Sequence, residues 1–587
     1  MKRPSWLTIG ILAALAVFTL LTLGVRSVAA DEFSMYWASA QTPSDILALY
    51  FSPKENNPPG VALLQHFWGQ VFGYTDVPLR VLSLVLVGAV LWVLWHFAQY
   101  MSSYSLVSNA RNHQPFSESG ARVLADVQNR VFLLAATTPL VWMSANIARY
   151  QALAMLLGVS GLYAYTRWFR EKEHRFLLAY ALCAGLLFYV HYLSAAVFAL
   201  CAGLHYVVVM AVQFAKQVSS KNKHSAQEHS AQELAKEKPF EYHVQPREIM
   251  LWASAQVGII LMIVPIIFTI LNAYSTINLG VSAPVQSNKI VAAIAFLSAT
   301  LIGVMNGFAV APYALWAVVP MAFIMPVLAF IALRRSDILN NRYGWMLVLM
   351  PLLVMSAVVV KMYPPLTMYL IPSVQRVPFV APVLWVFLGF ALVRIANKRL
   401  QTLLFVVILL CNAYAIAVWD LNIVATQHTP PLQELHTFTR LHTKGDSSTT
   451  IAHTVAYRYG MEGVNSTSPS SKNAVERYLP EIQSLYWAET DIAKEVSLDS
   501  CKNLVRSMNT RHWVVFQRNR YAVNAQHLAD ALTQEGYSET AAIPAQQQSG
   551  FDVWMKSKMM KLSLPGLKDD ALPQRFIYTF RHFERVK

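Results

Sequence analysis

Long apolar blocks alternate with short basic loops over the first 420 residues of the chain. A helix needs about 20 predominantly apolar residues to cross the hydrocarbon core, and that measure predicts about eleven spans. The first lies at 6–26 and the last at 401–419, with 131–146 and 343–361 among those between. The first apolar run, Leu7 to Val25, is longer than a signal-peptide core, so it reads as an uncleaved span even though Ser27-Val28-Ala29-Ala30 mimics a cleavage site. One further apolar block, Ile290–Val310, is left over. As a span it would carry the basic loop 334–342 to the other side, so it is expected to lie along the outer interface or to dip into the membrane and return.

After residue 420 the pattern changes. Short β-rich runs (Thr449–Val455, His512–Gln517, Phe551–Met555) are separated by helix-like segments (Ser471–Ser484, Asn524–Glu535), which predicts a small α/β domain. The expectation is a polytopic α-helical membrane core at 1–420 followed by a C-terminal α/β domain at 421–587. The polar stretch Lys216–Glu248 reads as a solvated connector.

Composition sharpens this. Of 587 residues, 55% are hydrophobic and 13% charged, against about 25% charged in soluble domains. The net charge of +15 sits largely in loops between spans, which makes it a topology signal and not a nucleic-acid surface. Basic residues cluster at Lys2-Arg3 and in loops 101–130, 167–175, 216–248, 334–342 and 394–399. On the opposite side of the core stand only Arg26, Lys54, Arg80, Arg149, Lys289, Lys361 and Arg376. The N-terminus is therefore expected in the cytoplasm and the C-terminal domain outside. Four cysteines show neither a disulfide framework nor zinc spacing.

Candidate chemistry depends on where the acids fall. No Asp or Glu lies inside a span. The outward acids are Asp31, Glu32, Asp45, Glu55, Asp76 and Asp420, and all but the last belong to loop 31–76. A carboxylate emerging from lipid is partly desolvated and can take a proton from an acceptor hydroxyl, which singles out Asp31 and Glu32. The stretches Pro43–Phe51 and Pro59–Phe72 read as interfacial helices that could roof a cavity over the span bundle. Arg149, Arg376, Lys361 and Arg80, each near an outward span end, suit a phosphate. His191-Tyr192, between the fifth and sixth spans, adds a polar pair.

Six segments carry a resemblance. They are Asp31-Glu32; Asn57-Pro58-Pro59-Gly60; Pro78-Leu79-Arg80-Val81-Leu82-Ser83; Ala148-Arg149-Tyr150; Tyr189-Val190-His191-Tyr192; and Gln375-Arg376-Val377-Pro378-Phe379-Val380-Ala381-Pro382. In this order the chain resembles the GT-C class of polyprenyl-phosphate-sugar glycosyltransferases, in the bacterial branch similar to protein O-mannosyltransferases and the aminoarabinose transferase of lipid A. The resemblance implies inverting transfer at the periplasmic face of a bacterial inner membrane, from a polyprenyl-phosphate-linked sugar to a glycolipid, lipid-linked glycan or protein hydroxyl. It implies Asp31 as base, Glu32 beside it, and Arg149 with Tyr150 and Arg376 at the carrier phosphate and sugar. The sequence departs from the family in having Asn57 where His often precedes Pro-Pro, and Ile147 where many members carry Glu, so that either Glu32 or Glu55 substitutes for this second acid or the site works differently.

Each residue also has a plainer use. Asp31 would cap a helix, Arg80 would snorkel to headgroups, Arg149 would anchor lipid phosphates, and His191 would be a structural histidine. A divalent cation is left open, since acids are present but no spacing demands one. Two other classes stay open: a transporter or flippase for a lipid-linked sugar, and a non-catalytic membrane scaffold. The absence of acids at mid-membrane and of an obvious repeat speaks against transport.

Overall fold

The structure is a computed structural model. It describes residues 4–24, 30–51, 58–110, 118–224, 246–267, 269, 303, 315–334, 376–420, 432–444, 446–453, 483–486, 498–508, 510–518, 522–544 and 578–586. The expected span 343–361, the block Ile290–Val310 apart from residue 303, the strand Phe551–Met555, Glu55, Lys361 and the side chain of Asp31 lie outside the described residues.

The helices in chain order are α1 (Trp6–Thr22), α2 (Ala30–Ser39), α3 (Pro43–Tyr50), α4 (Gly60–Phe72), α5 (Asp76–Ala110), α6 (Glu118–Ala136) and α7 (Pro139–Ala145). They continue as α8 (Tyr150–Glu171), α9 (His174–Phe188), α10 (Tyr192–His224), α11 (Pro246–Ile263), α12 (Leu315–Arg334), α13 (Val380–Val393) and α14 (Lys398–Asp420). Among the described residues, Asp76–Ser102, Tyr192–Ala215, Pro246–Ile266 and Lys398–Asp420 are helical, long and apolar enough to cross a membrane. Large apolar side chains such as Trp92, Leu261, Phe323 and Leu410 stand exposed on these and neighbouring helices, as a lipid-facing surface requires. The protein is a polytopic helical membrane protein.

The expected span 131–146 is broken. Pro139 has no N–H and disfavours helical geometry in the residue before it, and Thr138 is extended at φ −52°, ψ 126°. The freed groups find other partners. Trp142 Nε1 donates to the Ala136 carbonyl at 2.8 Å, and the Thr138 hydroxyl to the Ala135 carbonyl at 2.7 Å. Residues 131–148 are all buried in protein, which is where irregular backbone is tolerated at membrane depth. Hydropathy averaging passes over such a break.

The loops separate into two ends. At one, the Ser5 amide donates to Asn129 Oδ1 at 2.8 Å, and Lys172 pairs with Glu248 at 3.2 Å. Near that end an aromatic stack locks α8 to α11: Trp252 lies 5.2 Å from Trp168, 5.2 Å from Tyr180 and 4.7 Å from Tyr206. The other end carries the site.

Beyond α14 the described residues form α15 (Leu432–Thr443), β1 (Thr449–His453), β2 (Gln483–Tyr486), α16 (Leu498–Ser507), β3 (His512–Arg518), α17 (Ala522–Gln534), β4 (Tyr537–Pro544) and β5 (Tyr578–Arg585). The sheet order is β2-β1-β3-β5-β4. β1 is parallel to β2 and β3, while β5 is antiparallel to β3 and β4. Trp513, Cys501, Leu532 and Phe583 centre its own apolar core. The expected helix at Ser471–Ser484 is corrected at its end, where Gln483 and Ser484 pair with Thr450 and Ile451 in a strand.

Candidate functional site

The bend Asn146–Arg149 between α7 and α8 is held from three separate elements. From α2, Glu32 Oε1 accepts the Ala148 N–H at 2.8 Å. From α4, Gln65 Nε2 donates to the Ala148 carbonyl at 2.8 Å. From α5, the Ser83 hydroxyl donates to the Ile147 carbonyl at 2.8 Å. These three backbone groups, buried in the bend, thus each meet a side chain from a different helix, as buried polar groups require.

Glu32 is itself fixed by Arg80. Arg80 Nη2 lies 3.0 Å from Glu32 Oε2, and Nε lies 3.2 Å from Oε1. Both side chains are fully buried. Arg80 Nη1 donates to the Leu23 carbonyl at 2.6 Å, just past α1. The sequence pattern pointed Glu32 to catalysis and Arg80 to the carrier phosphate. The structure engages these groups with each other and with backbone, in the two-pronged geometry that Arg and carboxylate favour. They position the bend that carries Arg149.

A second cluster forms around His191, in the turn between α9 and α10. Tyr150 stacks on its ring with centroids 4.1 Å apart and planes 9° apart. The Arg149 guanidinium lies 5.2 Å from the centre of the Tyr150 ring. Burial, followed by the charges of Arg376 and Arg149, pushes the His191 imidazole down to about 3, so the ring is neutral at physiological pH. Four residues singled out from sequence, Arg149, Tyr150, His191 and Arg376, are therefore assembled in one place.

The segment on the C-terminal side of Arg376 sets its place. Phe379 packs edge-on against Phe198 of α10 at 5.6 Å, and Gly158 of α8 leaves room for its ring, which any added methyl would overlap. The Arg376 carbonyl accepts the Ser194 hydroxyl.

The Pro-Pro-Gly segment reaches the same turn. Pro58 and Pro59 are buried, the Gly60 N–H donates to the Tyr189 carbonyl at 2.7 Å, and a Cβ on Gly60 would collide with that carbonyl. The Tyr189 hydroxyl in turn donates to the Met262 carbonyl at 2.7 Å, beside the 3-10 turn Val264–Ile266 at the end of α11.

Sequence reasoning missed Ser194 and Gln65. The only signal either gives is that of an isolated polar residue in an apolar helix. Asp31 stands next to Glu32 in the first turn of α2. Among the described residues, no group of three or more His, Cys, Asp or Glu side chains is arranged to hold a metal ion.

No protein-family model matches the chain, and no curated protein matches it. Among solved structures it is similar to ArnT from Cupriavidus metallidurans in the apo state, with a TM-score of 0.49 and 11% identity over 88% of this chain and 94% of that chain. It is also similar to ArnT from the same organism bound to undecaprenyl phosphate, with a TM-score of 0.46 and 12% identity over 98% of this chain and 97% of that chain.

Proposed function

We propose that the chain is an inverting glycosyltransferase. It moves a sugar from a polyprenyl-phosphate carrier to a hydroxyl acceptor at the outer face of a bacterial inner membrane. The observation that carries this reading is the convergence of Arg149, Tyr150, His191 and Arg376, drawn from three separate inter-helix segments, onto one turn. Two guanidiniums beside a neutral imidazole suit a phosphate, and an aromatic–imidazole stack supplies an apolar wall for a lipid-linked substrate.

In the proposed reaction the acceptor hydroxyl attacks the anomeric carbon on the face opposite the carrier phosphate. Its proton passes to Asp31. The bond from that carbon to the phosphate oxygen breaks, and the electron pair leaves with the phosphate. Arg149 and Arg376 stabilise the charge that grows there. The Glu32–Arg80 pair keeps the Arg149 bend in register. The C-terminal α/β domain serves acceptor recognition in this scheme.

The test uses the full chain in lipid nanodiscs with undecaprenyl phosphate as the probe. Wild type is expected to bind it, and Arg149→Ala and Arg376→Ala each to weaken binding by about tenfold or more, the loss of one charge-assisted contact. Binding unaffected by both substitutions would remove the phosphate assignment.

A further inference from the structure

We propose that Ser194 is a positioning residue for this site, presenting His191 as a neutral hydrogen-bond donor through Nε2 while tying the backbone of Arg376 to the same turn. The inference rests on the functional reading above for the ligand, and on geometry alone for the proton.

Ser194 is fully buried, in the first turn of α10. Its amide N–H donates to His191 Nδ1 at 3.1 Å. An amide N–H can only donate, so Nδ1 must be the unprotonated nitrogen, and the single proton of the neutral ring sits on Nε2. The Ser194 Oγ lies 2.8 Å from the same Nδ1 and also bonds the Arg376 carbonyl. A carbonyl can only accept. Both groups facing the hydroxyl are therefore acceptors, and its one proton serves them together.

The consequence is chemical. A ring that carries its proton on Nε2 and is kept neutral by burial, followed by the charges of Arg376 and Arg149, cannot accept a proton from an acceptor hydroxyl through Nδ1, which is occupied. It can donate to an anionic oxygen. Ser194 thus assigns His191 to the leaving phosphate beside Arg149 and Arg376, and away from the base role. Residues 191 and 376, far apart in the chain, are brought into register by this one side chain.

The experiment has two arms on the full-length protein in nanodiscs. In the first, nitrogen-15 labelling of histidine reads the His191 tautomer, assigned with a His191→Gln control. A proton on Nε2 is expected, and a proton on Nδ1 would overturn the proposal whatever the protein's activity. In the second arm, undecaprenyl phosphate affinity is compared across variants. Ser194→Ala keeps the amide and so the tautomer, but loses the tie to Arg376. It is expected to bind about tenfold more weakly, with Ser194→Thr restoring most of the loss. Wild-type affinity in Ser194→Ala with an unchanged tautomer would refute the tie. Should Ser194→Ala not fold, Ser194→Cys, which keeps a weaker donor, is expected to lie between wild type and loss of binding, and equality with wild type would refute the tie. If wild type itself binds no undecaprenyl phosphate, the functional reading fails while the tautomer arm still stands.

Discussion

Replacing Glu32 by Gln tests the Glu32–Arg80 pair as the keystone of the site. Gln keeps the shape and one acceptor oxygen, so the Ala148 N–H retains a partner. The change removes the negative charge opposite a fully buried guanidinium. Arg80 would keep the Leu23 carbonyl, 2.6 Å from Nη1, and the charge of Asp76, but would lose the two-pronged carboxylate partner. Stranding one member of a buried pair costs about 3–5 kcal/mol, whereas removing both charges is close to neutral. Equilibrium unfolding in mixed micelles should therefore show Glu32→Gln destabilised by about that amount. The double variant Glu32→Gln/Arg80→Met should be less destabilised than the single one, a coupling that a double-mutant cycle isolates. A single-variant loss below about 1 kcal/mol, or strictly additive effects, would show that the pair is not a desolvated ion pair.

Gly60→Ala is expected to weaken undecaprenyl phosphate binding because its methyl overlaps the Tyr189 carbonyl, whereas Gly88→Ala, with nothing within 4 Å, should be neutral; equal behaviour of the two would refute the close approach. Gln65→Leu leaves the buried Ala148 carbonyl without its side-chain donor and should cost about 1–3 kcal/mol in the same unfolding assay; no change would show the contact to be dispensable. In the sheet, burial followed by the charges of His512 and His442 pushes His582 down to about 4. The unfolded chain takes up that proton at higher pH than the folded one, so stability is complete above about 6.5 and drains away as pH falls toward 4. Hydrogen exchange of β3 and β5 should rise across that window in excess of intrinsic exchange, and His582→Asn should flatten the trend.

How far the sequence could be read depended on which physics fixed each feature. Charge is expensive in lipid, so charged side chains could be assigned to loops and span ends from sequence: Arg149 lies beside the His191 turn, and Lys172 pairs with Glu248. The partner of each charge was not legible. Arg80 had several acids within reach on paper, and only packing selects Glu32. The break at Thr138-Pro139 was invisible to averaging because its polar groups are answered locally, by Trp142 and the threonine hydroxyls. Strands β4 and β5 escaped notice because Glu539, Arg581 and Glu584 interrupt any apolar alternation. Two of those charges pair across strands, Arg581 with Glu539 at 2.8 Å.

The commitments of the outward acids narrow the proposed base. Glu32 is committed to Arg80 and Ala148. Asp45 accepts the Thr42 hydroxyl at 2.7 Å at the start of α3, and the buried Asp420 accepts the Thr19 hydroxyl at 3.3 Å. Asp76, in the first turn of α5, lends its charge to Arg80. Position 147, an acid in many members of the family the sequence resembles, is an isoleucine packed in the main core. That leaves Asp31 and Glu55. Adjacent Cα atoms are about 3.8 Å apart, so the backbone of Asp31 is carried to the site by the very pair that fixes Glu32. Asp31→Asn should therefore lower sugar transfer by about a hundredfold or more, the contribution of a general base, while leaving undecaprenyl phosphate binding intact. Glu55→Gln should retain most of the activity. Full transfer by Asp31→Asn together with its loss in Glu55→Gln would move the base to the Pro-Pro-Gly side of the loop and leave the two-arginine phosphate site standing.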